Sequence, residues 1–224
     1  MIPRGSVLVN TSYIQFKKSD NYFKWARFGE CMDITQAFLS GIKDCEEFPE
    51  ALEIVKGNSS GKIWLIGGFV YRTIASQLYG LPKPEVDLDF VVEYPVSDFN
   101  LPSGWRADKN RFSNPKLVNG KKQIDYVHLG NIYSILQRQI EPTIEIFLTG
   151  VPLTVQSVAY DVNENRVIGE IGIDALQRRV VEVNDLLFAE YAAKKKNKSL
   201  HEMIQEKADG LGFTPIFPER KSCP

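Results

Sequence analysis

Cysteine is scarce in this 224-residue chain: Cys31, Cys45 and Cys223 are far apart and odd in number. They form no Cys-x-x-Cys pair and no disulfide framework. With only His128 and His201 to join them, no structural zinc site is expected either. No apolar run reaches membrane-spanning length and no signal peptide opens the chain, so the cytoplasm is the default compartment and no membrane partner is expected. A one-sided charge is also missing. The formal net charge is −1, which announces no global field for nucleic acid.

What is present reads as an ordinary globular domain, with 43% hydrophobic and 25% charged residues. Basic residues cluster only locally, at Arg106, Lys109 and Arg111, at Lys116, Lys121 and Lys122, and at Lys194–Lys196 with Lys198. These patches are candidate RNA contacts, although a solvated face is the commoner explanation of each. Near the N-terminus, Tyr13, Phe16, Tyr22, Phe23 and Trp25 alternate with Lys17, Lys18, Lys24 and Arg27. Such interleaving suits either base stacking or an aromatic flap on the main domain.

One stretch organises the rest. Ile63-Trp64-Leu65-Ile66 reads as a strand that stops at Gly67-Gly68. From Phe69 to about Tyr79 a helix is predicted, with Val70, Ile74 and Leu78 on one face. Gly80, Pro82 and Pro84 break it, and a second strand is predicted from Val86, carrying Asp87 and Asp89 around Leu88. Paired glycines let a phosphate approach the backbone, and the helix that follows offers unpaired N–H groups to an anion. Residues two apart in a strand share a face, so Asp87 and Asp89 stand side by side, a pair suited to divalent cations. The helix carries the chain away by roughly 16 Å. The return from Gly80 to Val86 spans up to about 23 Å, enough to bring the carboxylates back to the glycines.

Further elements follow the same logic. Asp33 is expected to cap a helix, with Gln36 at the reciprocal position and Ile34, Phe38 and Leu39 turned inward. A second helix is predicted over about Pro49–Lys56, and Asn58–Gly61 as a loop. Pro95–Asn114 reads as a long surface excursion. Asn119-Gly120 signals a hairpin between Lys116–Val118 and Gln123–Val127, with Asp125 facing away from Ile124. Asn131–Gln139 reads as a helix, Thr143–Leu148 as a short strand, and Asp185–Lys195 and Leu200–Asp209 as two terminal helices.

Leu65-Ile66-Gly67-Gly68 followed by Asp87-Leu88-Asp89 resembles the head domain of the class II tRNA nucleotidyltransferase and bacterial poly(A) polymerase family, within the DNA polymerase beta-like nucleotidyltransferase superfamily. Leu153-Thr154-Val155-Gln156-Ser157-Val158-Ala159-Tyr160 is similar to that family's R-R-D-F-T-I-N-A-L-A-Y segment. Gly172-Ile173-Asp174-Ala175-Leu176-Gln177-Arg178-Arg179 resembles its G-G-L-E-D-L-K-x-K run. The order of these segments, over roughly Gly61 to Asn184, is more specific than any one of them.

The resemblance implies an α/β fold (α+β by some conventions), with a polymerase beta-like core, a mixed sheet and helices on one side. It also implies a head-like domain over residues 1–184 and a small helical extension over 185–224. The implied activity moves a nucleoside monophosphate from ATP or CTP to an acceptor hydroxyl on a tRNA-like RNA, with Mg²⁺ or Mn²⁺. Asp87, Asp89 and, by the resemblance, Asp125 are the implied metal ligands and catalytic residues; Gly67, Gly68, Arg72 and Gln156 the implied nucleotide contacts. Departures stand beside these matches. The family's G-G-x-V-R-D has Tyr71 at its arginine and Arg72 at its aspartate, Val151-Pro152 replaces R-R-D, and Gln156 stands for asparagine. No E-D-x-x-R nucleotide-selecting motif follows, and the residues after Asn184 are too few for the family's long helical body. Two other classes therefore stay open: a nucleotide-binding or scaffold module without catalysis, and transfer of the nucleotide to a protein or small molecule.

Overall fold

Alternation along two central strands explains how the chain builds two cores on one sheet. In β1 (Ser59–Ile66), Ile63 and Leu65 face one cluster and Trp64 the other. In β2 (Leu88–Pro95), Leu88, Phe90 and Val92 join the first cluster and Val91 the second. Period-two side chains on a sheet covered on both faces produce this division. A computed structural model describes residues 32–110 and 113–218. The N-terminal aromatic and basic stretch, Cys31, Arg111 and Cys223 lie outside the described residues.

The larger core packs beneath α1 (Ile34–Ile42), α2 (Glu47–Gly57) and α3 (Gly68–Tyr79). Ile34, Ala37 and Phe38 line the buried stripe of α1, and Phe48, Ala51 and Val55 that of α2, at helical spacing. Asp33 precedes α1 in extended conformation but makes no side-chain cap. Asn58, almost fully buried, ends α2: its amide donates to Ile54 O at 2.8 Å and to Asn100 O at 3.1 Å, and its oxygen accepts from Asn100 N at 2.7 Å. The expected loop at Asn58–Gly61 is instead the start of β1, whose register shifts between Ser60 and Ile63 around Gly61.

Seven strands form the main sheet in the order β3-β4-β5-β2-β1-β6-β7, with β3 at Arg106–Lys109, β4 at Pro115–Asn119, β5 at Lys122–His128, β6 at Ala159–Asp161 and β7 at Arg166–Ile168. Every pairing is antiparallel except β2 with β5. β3 lies inside what reads as a surface excursion, and its four residues are all exposed, so no apolar alternation announces it. The hairpin forms as expected, one residue later: Asn119 pairs with Lys122, and Gly120, at φ +59°, opens the two-residue turn.

Helices cover the second face too, which corrects the one-sided expectation. After a short 3₁₀ turn at Leu129–Asn131, α4 (Tyr133–Arg138) and α5 (Ile144–Thr149) supply Ile135, Ile144 and Leu148 to the smaller core with Trp64 and Val91. α5 occupies the segment that reads as a strand. Thr143 decides the matter, because its hydroxyl accepts from Ile146 N at 3.2 Å and caps a helix turn.

The chain then runs through a second 3₁₀ turn (Thr154–Gln156), α6 (Glu170–Arg178), β8 (Val180–Val181), α7 (Leu186–Lys195), α8 (Leu200–Asp209) and β9 (Thr214–Pro215), which pairs in parallel with β8. Asp185 caps α7 by accepting from Phe188 N at 3.0 Å, and Ser199 with Glu202 forms a capping box on α8. Ala189, Ala193, Met203, Ile204 and Ala208 place both helices in the larger core. Among the described residues no helix is long and apolar enough to cross a membrane.

Candidate active site

The parallel pairing of β2 with β5 creates the site. Its register sets Leu88 beside Ile124, Asp89 beside Asp125 and Phe90 beside Tyr126. The flanking apolar residues are buried in the larger core, so both aspartates must point to the opposite face. Asp89 is also paired with Ile66, the last residue of β1, which brings the glycine turn to the same place. β2 begins at Leu88, not at Val86, so Asp87 lies just before the strand and is exposed. It still converges. Oxygens of Asp87, Asp89 and Asp125 all lie within 4.8 Å of one another.

Three carboxylates this close repel. Asp89 is half-buried, and its pKa is pushed up to about 7, first by loss of solvent and then by the charges of Asp87 and Asp125, with Lys116 opposing. Asp125 is steadied by two neighbours: its Oδ1 accepts from Asn110 Nδ2 at 3.2 Å, and its Oδ2 lies 3.8 Å from Lys116 Nζ. A set of hard oxygen donors with excess negative charge could hold a metal ion, which would relieve the repulsion.

Gly67 is required twice over. Its φ of +84° disfavours any side chain, and a Cβ there would stand 2.4 Å from Asp89 Oδ2. Gly68 opens α3, and a Cβ there would meet only the Tyr71 hydroxyl, 3.8 Å away. No side chain caps the start of α3, which lies beside Asp89. Arg72 is exposed one turn further along. Gln156 lies in the second 3₁₀ turn, where its Oε1 accepts from Leu153 N at 3.2 Å.

Some neighbours of the site were not singled out for it by sequence reasoning. Lys109, Asn110, Asn114 and Lys116, on and between β3 and β4, line a cleft of about 590 Å³ with Asp89, Asp125 and Val127. Lys116 was findable, because counting back from the Asn119-Gly120 turn sets it across from Asp125. Lys121 and Lys122 belong to the far side of the hairpin, where Lys122 pairs with Glu50 at 2.6 Å.

No family model matches the chain, and no curated protein matches it by sequence. Solved structures do. A CCA-adding enzyme in complex with ATP is 18% identical over 82% of this chain and 42% of its own, with a TM-score of 0.53. The Bacillus stearothermophilus CCA-adding enzyme in complex with CTP is 19% identical over 76% of this chain and 41% of its own, also at 0.53. The chain thus spans about two fifths of the length of the enzymes it matches. At such identity the likeness speaks to architecture alone: the protein shares its fold, a mixed α/β sheet with helices, with the matching part of these CCA-adding enzymes.

Proposed function

We propose that this protein is a metal-dependent nucleotidyltransferase that moves a nucleoside monophosphate from ATP or CTP to an acceptor hydroxyl on a tRNA-like RNA. The convergence of Asp87, Asp89 and Asp125 beside the uncapped start of α3 carries this reading. The fold shared with CCA-adding enzymes that bind ATP or CTP supports the nucleotide class.

Asp87 and Asp89 would hold two divalent ions, with Asp125 completing the one nearer the acceptor. When bound, such ions stabilise charge on the transferred phosphoryl group and make the attacking hydroxyl easier to deprotonate. Gly67 and Gly68 admit the triphosphate to the backbone, and the first N–H groups of α3 hold its charge. Arg72 neutralises phosphate from the same helix, and Gln156 contributes its amide to the nucleotide. Lys116 and Asn110 hold the Asp125 carboxylate toward Asp89. The acceptor hydroxyl oxygen bonds to the α-phosphorus and its proton passes to solvent, while the bond to the bridging oxygen breaks and pyrophosphate leaves.

The test is incubation of the pure protein with α-labelled ATP or CTP, Mg²⁺ or Mn²⁺, and a mixed pool of RNA and lysate. Label on RNA is the expected result. Label on a protein or small molecule overturns the RNA acceptor, and nucleotide binding without transfer to any pool overturns the enzyme.

A further inference from the structure

Gly68, Tyr71 and Arg72 stand at i, i+3 and i+4 on α3 and so share one face of its first turns. Long helical side chains lean toward the N-terminus, and Tyr71 does so: its hydroxyl lies 3.8 Å from where a Gly68 Cβ would stand. Tyr71 is only 2% exposed, yet it sits at the mouth of the glycine turn. From α8, 136 residues along the chain, Lys207 donates a hydrogen bond to that hydroxyl at 2.7 Å. Its ammonium is 5.3 Å from the Tyr71 ring centroid.

Among the described residues, no carboxylate forms an ion pair with Lys207 or Arg72, whereas Lys198 on the same terminal segment pairs with Glu206. Lys207 is half-buried, and its ammonium donates to a neutral hydroxyl, which leaves its charge available to an anion. Burial raises the Tyr71 pKa, but the charges and hydrogen bonds of Lys207 and Arg72 outweigh it and hold the phenol below its ordinary value. The uncapped N–H groups of α3 add positive potential of the same sign.

We propose that Lys207, positioned by the Tyr71 hydroxyl and acting with Arg72, binds the terminal phosphates of the nucleoside triphosphate at Gly68. The inference rests on the nucleotidyltransferase reading and deepens it. A cation from the C-terminal helix takes the place of the arginine that the resemblance expects at Tyr71. A contact with phosphate is a charge-assisted hydrogen bond, stronger than one between neutral groups. The residues that follow Asn184 then complete the nucleotide site.

Calorimetric titration with Mg²⁺-tripolyphosphate, with the Mg²⁺ complex of an α,β-methylene ATP, and with AMP tests this, thermal unfolding serving as the fold control. Lys207→Met should weaken the first two ligands by about tenfold or more, Lys207→Arg should restore them, and AMP, which lacks terminal phosphates, should bind alike to all. Tyr71→Phe should weaken them less and add nothing to Lys207→Met, because it acts through the lysine. Should Lys207→Met not fold, Tyr71→Phe alone decides, and unchanged tripolyphosphate affinity overturns the proposal. Wild-type affinity for both polyphosphates in Lys207→Met, with reduced stability, makes Lys207 a strut and leaves the function standing. Lys207-dependent tripolyphosphate binding without nucleotide binding preserves the anion site and sinks the function. A wild type that binds neither sinks both.

Discussion

Removing the charge of Asp89 should stabilise the metal-free protein while abolishing transfer. The carboxyl is pushed from 3.8 up to about 7, so folding works against its ionisation. At about 1.4 kcal/mol per pKa unit, the folded state at pH 8 carries on the order of 4 kcal/mol of strain from this group. Below about pH 4 the carboxyl is protonated whether folded or not, and the penalty vanishes. Between those limits the folded state holds a proton the unfolded chain has lost, so wild-type stability falls as pH rises from about 4 to 7. Asp89→Asn lacks that fall. Urea unfolding in EDTA should therefore show the variant more stable at pH 8, with the advantage shrinking toward pH 4.5. Magnesium at pH 8 should raise the stability of the wild type and not that of Asp89→Asn. A variant less stable than wild type at pH 8, or a difference that does not move with pH, would refute the account of a strained acidic cluster.

Four further outcomes follow from the structure. Gly67→Ala combines a left-handed backbone with contact against Asp89, so it should lose about 1–3 kcal/mol in thermal unfolding and most of its Mn²⁺ affinity by calorimetry. Gly68→Ala, with open space at its Cβ, should keep the fold or gain up to ~1 kcal/mol, yet bind Mg²⁺-ATP more weakly. Asp125→Ala should spare most Mg²⁺-nucleotide affinity and slow transfer by orders of magnitude in a labelled-nucleotide assay; lost nucleotide binding would contradict the division of labour. Asn58→Ala leaves the Ile54 and Asn100 groups without partners, and chemical denaturation should register a loss of about 1–3 kcal/mol.

Legibility followed sequence distance. The run from Ile63 through Gly67-Gly68 to Asp89 showed strand, turn, helix and carboxylates in their actual order, because each part is set by local periodicity. Local ambiguity defeated the reading at Thr143–Leu148: Ile144, Ile146 and Leu148 alternate like a strand, and a single hydroxyl at Thr143 tips them into a helix. β3 carried no signal, since an edge strand of Arg106, Ala107, Asp108 and Lys109 looks like a loop. Asp125 stood out as a strand carboxylate, but its partnership with Asp89 depends on a parallel pairing that no turn announces. Lys207 was invisible for the same reason. Nothing near it in sequence points to Tyr71, and the departure at Tyr71 read as a missing charge.

The parallel junction of β2 and β5 also works as an alignment check. A slip of one residue in β5 would swing Asp125 into the apolar interior and push both Ile124 and Tyr126, each almost fully buried, out into the cleft. Unmaking those two burials is far less favourable than any interaction the aspartate makes with Asn110 or Lys116. The carboxylates are thus indexed by residues that never meet a substrate. Core variants at Ile124 or Tyr126 that loosen packing should scatter the acidic cluster before the sheet itself comes apart.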